Sequence, residues 1–537
     1  MMRIKFLIIV LFIIAGQCLG QDRYIVFFTD KHNSPYAIER PQEFLSKRAL
    51  DRRLKNSVFL DESDLPVNPS YVSQLKGLGI QTFFTSKWMN ATVAQMTGEQ
   101  ANQVLGLSFV EQVEYVAPGI LLEETFTQTD SESTINVSNS VNAPTAVQHE
   151  MLGVNEMHSD GIYGEGVLIG VFDDGFANLS RLPVFENLID KGQVLYSKDY
   201  TTNDNDVENN FSHGTRVLSV LAGDDGNYLG VAPDAQYILS VTEASGEYRI
   251  EEYNWLFAIE QADSAGVDIV NTSLGYTQFT DSRMSYVPSQ MDGMTTVISR
   301  AAQMAVDKGI LLVNAAGNGG RTAWRIVSAP ADVVNVLSVG AISSNGTLAF
   351  FSSVGPNAAG FTKPDVVALG SGTAVVDADG LYKFQNGTSF SSPLVAGLAA
   401  GLLSEYPELT RAELFDLILR SGNVFENPNN SYGSGLPNYQ MAKELLVIDK
   451  IPEGEKMTLF PNPASNGFLD IAFGEDFVGL PVDLQVIDSN GKQILNHSMV
   501  SAERVTRLDV GQYLPGIYLV RAQSTNGSAV KKLLIQY

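Results

Sequence analysis

Between residues 166 and 343 the chain repeats one pattern: a nearly unbroken apolar run, then a stretch with helical spacing. The runs are "GVLIGVFD", "AQYILSV", "VDIVNTSLG", "GILLVNAAGN" and "VVNVLSVGAIS". The helical segments include "HGTRVLSVLAGD", "YNWLFAIEQADSAG" and "VISRAAQMAVDKG". Strands without polar alternation are buried on both faces, and strands alternating with helices give a parallel sheet covered on both sides. The spacing therefore predicts an α/β domain with a doubly wound parallel sheet over about 150–446. Such sheets hold their sites beyond the carboxyl ends of the strands. Asp173, Ser273 and Asn318 fall at such ends.

The flanks differ in texture. Residues 21–125 mix short β-like runs, "YIVFFTD" and "NATVAQM", with the helical patterns "YVSQLKGLG" and "TGEQANQVLG". That mixture predicts a small α+β module. The polar stretch "TQTDSESTINVSNSVNAP" has no apolar period and reads as an exposed linker, 126–149. After a second linker, 447–456, apolar–polar alternation returns around Asn-Gly pairs, as in "VDLQVIDSNGKQIL". Asn-Gly between alternating runs marks a hairpin, so 457–537 is expected to be an all-β antiparallel sandwich.

Composition narrows the setting. A chain of 537 residues with 44% hydrophobic and 18% charged positions is globular and exceeds one core. A net charge of −25 without a basic stripe argues against a nucleic-acid partner. The opening "MMRIKFLIIVLFIIAGQCLG" has a positive start, a short apolar run and small residues, the pattern of a secretory signal over 1–20, cut after Gly20. The alternative is an uncleaved anchor. Cys18 is the single cysteine and lies in that segment, so an exported mature chain would carry no disulfide.

Candidate chemistry begins with the histidines. Of five, only His213 opens a predicted helix inside the α/β region, and no His-Glu-x-x-His pair exists. Upstream, a buried strand delivers Asp173 at its end; a carboxylate there is costly unless partnered, and an imidazole N–H is a suitable partner. Downstream, "NGTSFSSPLVAG" places Ser389 at the start of an apolar helix, near backbone donors, with Pro393 expected in its first turn. A serine hydroxyl attacks only when a base takes its proton.

These blocks, "VFDDG", "SHGTRV", "AAGNGG" and "NGTSFSSP", together resemble the four signatures of the subtilases, subtilisin-like serine peptidases, in the chain order Asp, His, Ser. The resemblance implies Asp173 as orienting carboxylate, His213 as general base, Ser389 as nucleophile and Asn318 as oxyanion donor. It implies a substrate pocket walled by Ser273, Leu274 and Gly275 on one side and Ala315, Ala316 and Gly317 on the other, with small uncharged walls suiting apolar or varied side chains. Two departures stand out: Asp174 follows the first carboxylate, where it is expected to point outward, and Arg216 replaces a frequent second His. Residues 21–125 resemble an inhibitory propeptide, the alternative being a permanent N-terminal domain. "LFPNPASNG" and the following runs resemble a type IX (Por) secretion sorting domain, the alternative being a carbohydrate- or protein-binding module.

The implied protein is a secreted serine endopeptidase made as a self-processed zymogen, exported through the periplasm to the medium or outer surface. Its partners would be protein or peptide substrates and the secretion machinery, with the enzyme a monomer. No cofactor is required for such chemistry. The family often uses structural calcium, and the acidic loop "DYTTNDNDVENN" could hold it or simply be solvated; no ligands are assigned.

Overall fold

The computed structural model describes residues 21–119, 135–136, 143–208, 211–244, 246–449, 455–464 and 467–536. The signal-like segment, Cys18 and most of the 126–149 linker lie outside the described residues. The chain forms two units, divided between Pro437 and Asn438.

In the first unit, strands β1 (Asp22–Phe28), β2 (Gln81–Ser86), β3 (Ala91–Met96) and β4 (Val110–Ala117) make an antiparallel sheet in the order β2-β3-β1-β4. Three helices accompany it: α1 (Lys47–Lys55), α2 (Pro69–Gly77) and α3 (Gly98–Leu105). Thr97 and Gln100 close a capping box at the start of α3, satisfying two donors that a helix end leaves open.

The central sheet has seven parallel strands: β5 (Leu168–Asp173), β6 (Val194–Asp199), β7 (Gln236–Val241), β8 (Ile269–Thr272), β9 (Leu311–Ala315), β10 (Leu337–Ile342) and β11 (Val366–Leu369). Their order is β11-β10-β9-β8-β5-β7-β6. From β5 the chain runs to the edge strand β6, steps back in to β7, crosses past β5 to β8, and then winds outward through β9 and β10 to β11. The reversal lies between β5 and β8, where doubly wound sheets open a crevice. Helices α4 (His213–Ala222), α5 (Ile250–Ala265), α6 (Val297–Asp307) and α7 (Thr388–Glu405) cover the sheet. Every residue of β5, β8, β9, β10 and β11 is buried, as continuous apolar runs require. Beside the sheet, β12 (Ser371–Val376) and β13 (Tyr382–Asn386) form a hairpin, and Ile135–Asn136 pairs with β13 as a third strand.

The second unit begins with α8 (Tyr439–Ile448), capped by the Asn438 side chain. The two compact units thus divide just ahead of this helix. Seven strands follow: β14 (Met457–Phe460), β15 (Phe468–Phe473), β16 (Val482–Asp488), β17 (Gln493–Met499), β18 (Val505–Asp509), β19 (Gly516–Ser524) and β20 (Gly527–Ile535). They form antiparallel sheets ordered β14-β15-β18 and β17-β16-β19-β20 around Leu469, Phe473, Leu484 and Val520. Among the described residues no helix is long and apolar enough to cross a membrane.

Candidate active site

The site is built at the carboxyl edge of the central sheet. β5 ends in Asp173, fully buried, and α4 starts with His213, 3% exposed. The His213 Nδ1–H donates to Asp173 Oδ1 at 2.7 Å. The same oxygen accepts the Asp174 N–H at 2.9 Å, while Oδ2 has no hydrogen-bond partner among the described residues. Gly214 follows the histidine because α4 presses onto the strand end: a Cβ there would meet the Gly175 carbonyl at 2.5 Å and the Asp173 Cβ at 2.9 Å.

Ser389 is the second residue of α7, so its backbone N–H is among those no helical carbonyl can reach. It is 6% exposed, and its hydroxyl donates to the Ser273 carbonyl at 3.4 Å. Asn318 lies beyond β9. Its Oδ1 accepts both the Thr388 N–H (2.9 Å) and the Thr388 hydroxyl (3.0 Å). With the carbonyl side of the amide so held, its NH₂ is left as the donor for a ligand. The Thr388 hydroxyl also accepts the Gly317 N–H at 3.2 Å. Thr388 thus fixes the amide and the adjoining wall together, a role the sequence reading missed. The Gly-Thr-Ser spacing was its only signal.

A cavity of about 490 Å³ collects these groups: His213, Ser389, Asn318, Ser273, Leu274, Gly275, Ala315 and Gly317 all line it. Ala316 does not. It is fully buried against Val327 and Ala331, its N–H donating to the Val339 carbonyl and its carbonyl accepting the Ser328 N–H. At Gly275 a Cβ would lie 2.2 Å from the Ser328 hydroxyl and would displace it.

Two expectations are corrected. Asp174 does not point outward: its carboxyl lines the cavity and accepts the Gly214 N–H at 3.2 Å. Burial, then the adjacent Asp173 charge, pushes its carboxyl up to about 7. The walls are also not made of small residues alone, because the carboxyl-bearing Glu243 and Glu247 join Asp174 in the lining. Burial and the Glu247 charge push Glu243 up to about 8, and Tyr276 donates its hydroxyl to it. Sequence texture hid both glutamates in the loop between β7 and α5. Arg216 pairs at 3.9 Å with Asp377.

Among the described residues, no three carboxylates of the acidic loop lie close enough together to share an ion. Asp199 Oδ1 accepts the Thr201 N–H, the Thr201 hydroxyl and the Thr202 N–H, and Asp204 and Asp206 each accept the N–H two residues on. These carboxylates shape the turn. Among the described residues, Asp173, Asp174 and His213 are the one group of three such side chains close enough to share an ion, and they are the pair just described with its neighbour.

The chain matches the subtilase family over residues 164–435, a Bacteroidota peptidase S8 propeptide domain over 23–132, and a secretion system C-terminal sorting domain over 458–536. It is 32% identical to subtilisin NAT of Bacillus subtilis subsp. natto over 293 residues, 54% of this chain and 68% of that protein. It is 30% identical to subtilisin DY of Bacillus licheniformis over 300 residues, 55% of this chain and 97% of that protein. Among solved structures, the epidermin leader peptide processing serine protease of Staphylococcus aureus shares the fold, with a TM-score of 0.55 and 18% identity over 81% of this chain and all of that one. Fold and relatives define a secreted serine endopeptidase of the doubly wound α/β class, made as a zymogen. The chain belongs to the subtilase family. Its C-terminal sorting domain accords with delivery outside the cell or to its surface.

Proposed function

We propose that Ser389 is the nucleophile, His213 its base and Asp173 the group that orients the base. The observation carrying this is the 2.7 Å bond from His213 Nδ1 to Asp173 Oδ1, with His213 and Ser389 lining the same cavity. With Nδ1–H committed to the carboxylate, Nε2 is the ring nitrogen that takes the Ser389 proton as Oγ attacks the peptide carbonyl carbon. The carbonyl oxygen becomes an oxyanion held by the Asn318 NH₂ and the Ser389 N–H. The imidazolium then protonates the leaving amine, and water repeats the sequence on the acyl-enzyme. Residues 273–275 lend their backbone to an extended substrate. Asp174, Glu243 and Glu247 give that groove an acidic side. Calcium has no part in these steps.

Residues 21–125 act as the propeptide, and the enzyme cuts itself between about 115 and 145. A Ser389→Ala chain is expected to keep its propeptide when purified, as seen by intact mass. Normal processing of that variant, with other proteases absent, would overturn self-cleavage. The tail engages the secretion machinery as substrate.

A further inference from the structure

We infer that Ser273 is a positioning residue for Ser389, its hydroxyl replacing a helix hydrogen bond that Pro393 deletes. The inference rests on the reading of Ser389 as nucleophile. Pro393 sits not in the first turn of α7 but inside the helix, five residues after Thr388. In an unbroken helix the N–H of residue 393 would bond to the carbonyl of Ser389. Proline has no N–H, and its ring crowds that carbonyl. The nucleophile's own carbonyl is therefore released from the helix in a residue that is 6% exposed, where an unmade bond is costly.

The Ser273 hydroxyl donates to this carbonyl at 2.8 Å. Its direction is fixed from behind. Asn271 Nδ2 donates to the Ser273 hydroxyl at 3.2 Å, filling a lone pair, so the hydroxyl proton is turned toward Ser389. Asn271 Oδ1 in turn accepts the Ser392 hydroxyl at 2.7 Å. Residues 271 and 273 are two apart at the end of β8 and share a face, while 389 and 392 are three apart on one face of α7. Three buried hydrogen bonds thus join the four residues in a chain from strand end to helix start, closed through the backbone of α7. Ser273 also accepts the Ser389 hydroxyl on its backbone carbonyl at 3.4 Å. One residue thus meets the nucleophile at both its main chain and its side chain. The geometry places Ser273 as the brace that holds Oγ relative to His213 and Asn318. A backbone wall for the substrate would need no hydroxyl there.

The test is a cycle of Ser273→Ala, Pro393→Ala and the double variant in the full-length secreted enzyme. Turnover of a peptide substrate is normalised by active-site titration. Ser273→Ala is expected to lower kcat about ten-fold, with KM within about two-fold, since the effect of one hydrogen bond lies near a factor of ten. In the Pro393→Ala background, the substituted residue supplies the missing N–H to the Ser389 carbonyl. The double variant and Pro393→Ala should then agree within about two-fold. A ten-fold gap between those two, or an unchanged kcat in Ser273→Ala, would overturn the inference. The Pro393→Ala pair is informative even if Ser273→Ala alone fails to fold. Titration of the unsubstituted enzyme at a residue other than Ser389 would instead defeat the reading of the nucleophile, which separates the two failures.

Discussion

A second carboxyl group beside Asp173 changes how the pair titrates. Asp174 takes a proton near pH 7 because burial and the Asp173 charge both oppose its ionisation. Above that pH it adds a negative charge close to His213, which favours the imidazolium and withholds the base. Asp174→Asn removes this charge, so the acid limb of the kcat/KM profile should move to lower pH. A limb that stays in place, or moves up, would show that Asp174 does not act on the pair. Asp173, His213 and Ser389 could be singled out in sequence because each sits at the end of an apolar strand or the start of a helix, and the resemblance of the four blocks proposed their roles. The direction of Asp174 was not legible: it depends on the Gly214 N–H, 40 positions away in the chain.

At the level of elements, the contact between the propeptide and α5 is unusually rich in buried charge. Asp263 on α5 accepts Arg52 and Arg53 from α1 and Lys87 from the turn after β2. Glu260, one turn earlier, accepts the Ser86 hydroxyl and the N–H groups of Lys87 and Trp88. Burial holds Glu260 up at about 7, whereas burial opposes but the three cations win at Asp263, which is held down to about 2. A carboxyl raised by complex formation favours the complex while protonated. That contribution is full below the ordinary carboxyl value and is lost as pH rises through about 7. Inhibition by the propeptide added in trans should weaken between pH 5 and 8, and Glu260→Gln should flatten that dependence. Equal pH slopes for the two enzymes would contradict it. None of this shows in hydrophobic patterning, since "KRALDRRLK" reads as an exposed basic helix while Arg52 and Arg53 are 4% and 2% exposed. The edge strands β6 and β11 escaped for related reasons. β6 carries Ser, Lys and Asp, and β11 spans four residues. The five nearly unbroken apolar runs of the interior announced themselves.

Across the whole molecule, three textures in the sequence correspond to three matched regions: an α+β leader, a doubly wound core and an all-β tail. The tail was legible through its Asn-Gly turns, as in the two-residue Thr525–Asn526 connection between β19 and β20. The helix α8 was not assigned with it, because an amphipathic helix does not declare which core it covers. If the tail is the export signal, deleting residues 450–537 should leave active enzyme inside the cell envelope, detected by fractionation and peptidase assay; undiminished export would show that the tail serves another purpose. The central claim concerns one serine among the three in "TSFSS". Reaction of the mature enzyme with a fluorophosphonate, followed by peptide mass spectrometry, tests it most directly. The adduct is expected on Ser389 alone and should vanish in His213→Ala. An adduct on Ser391 or Ser392, or labelling that survives loss of His213, would contradict the account.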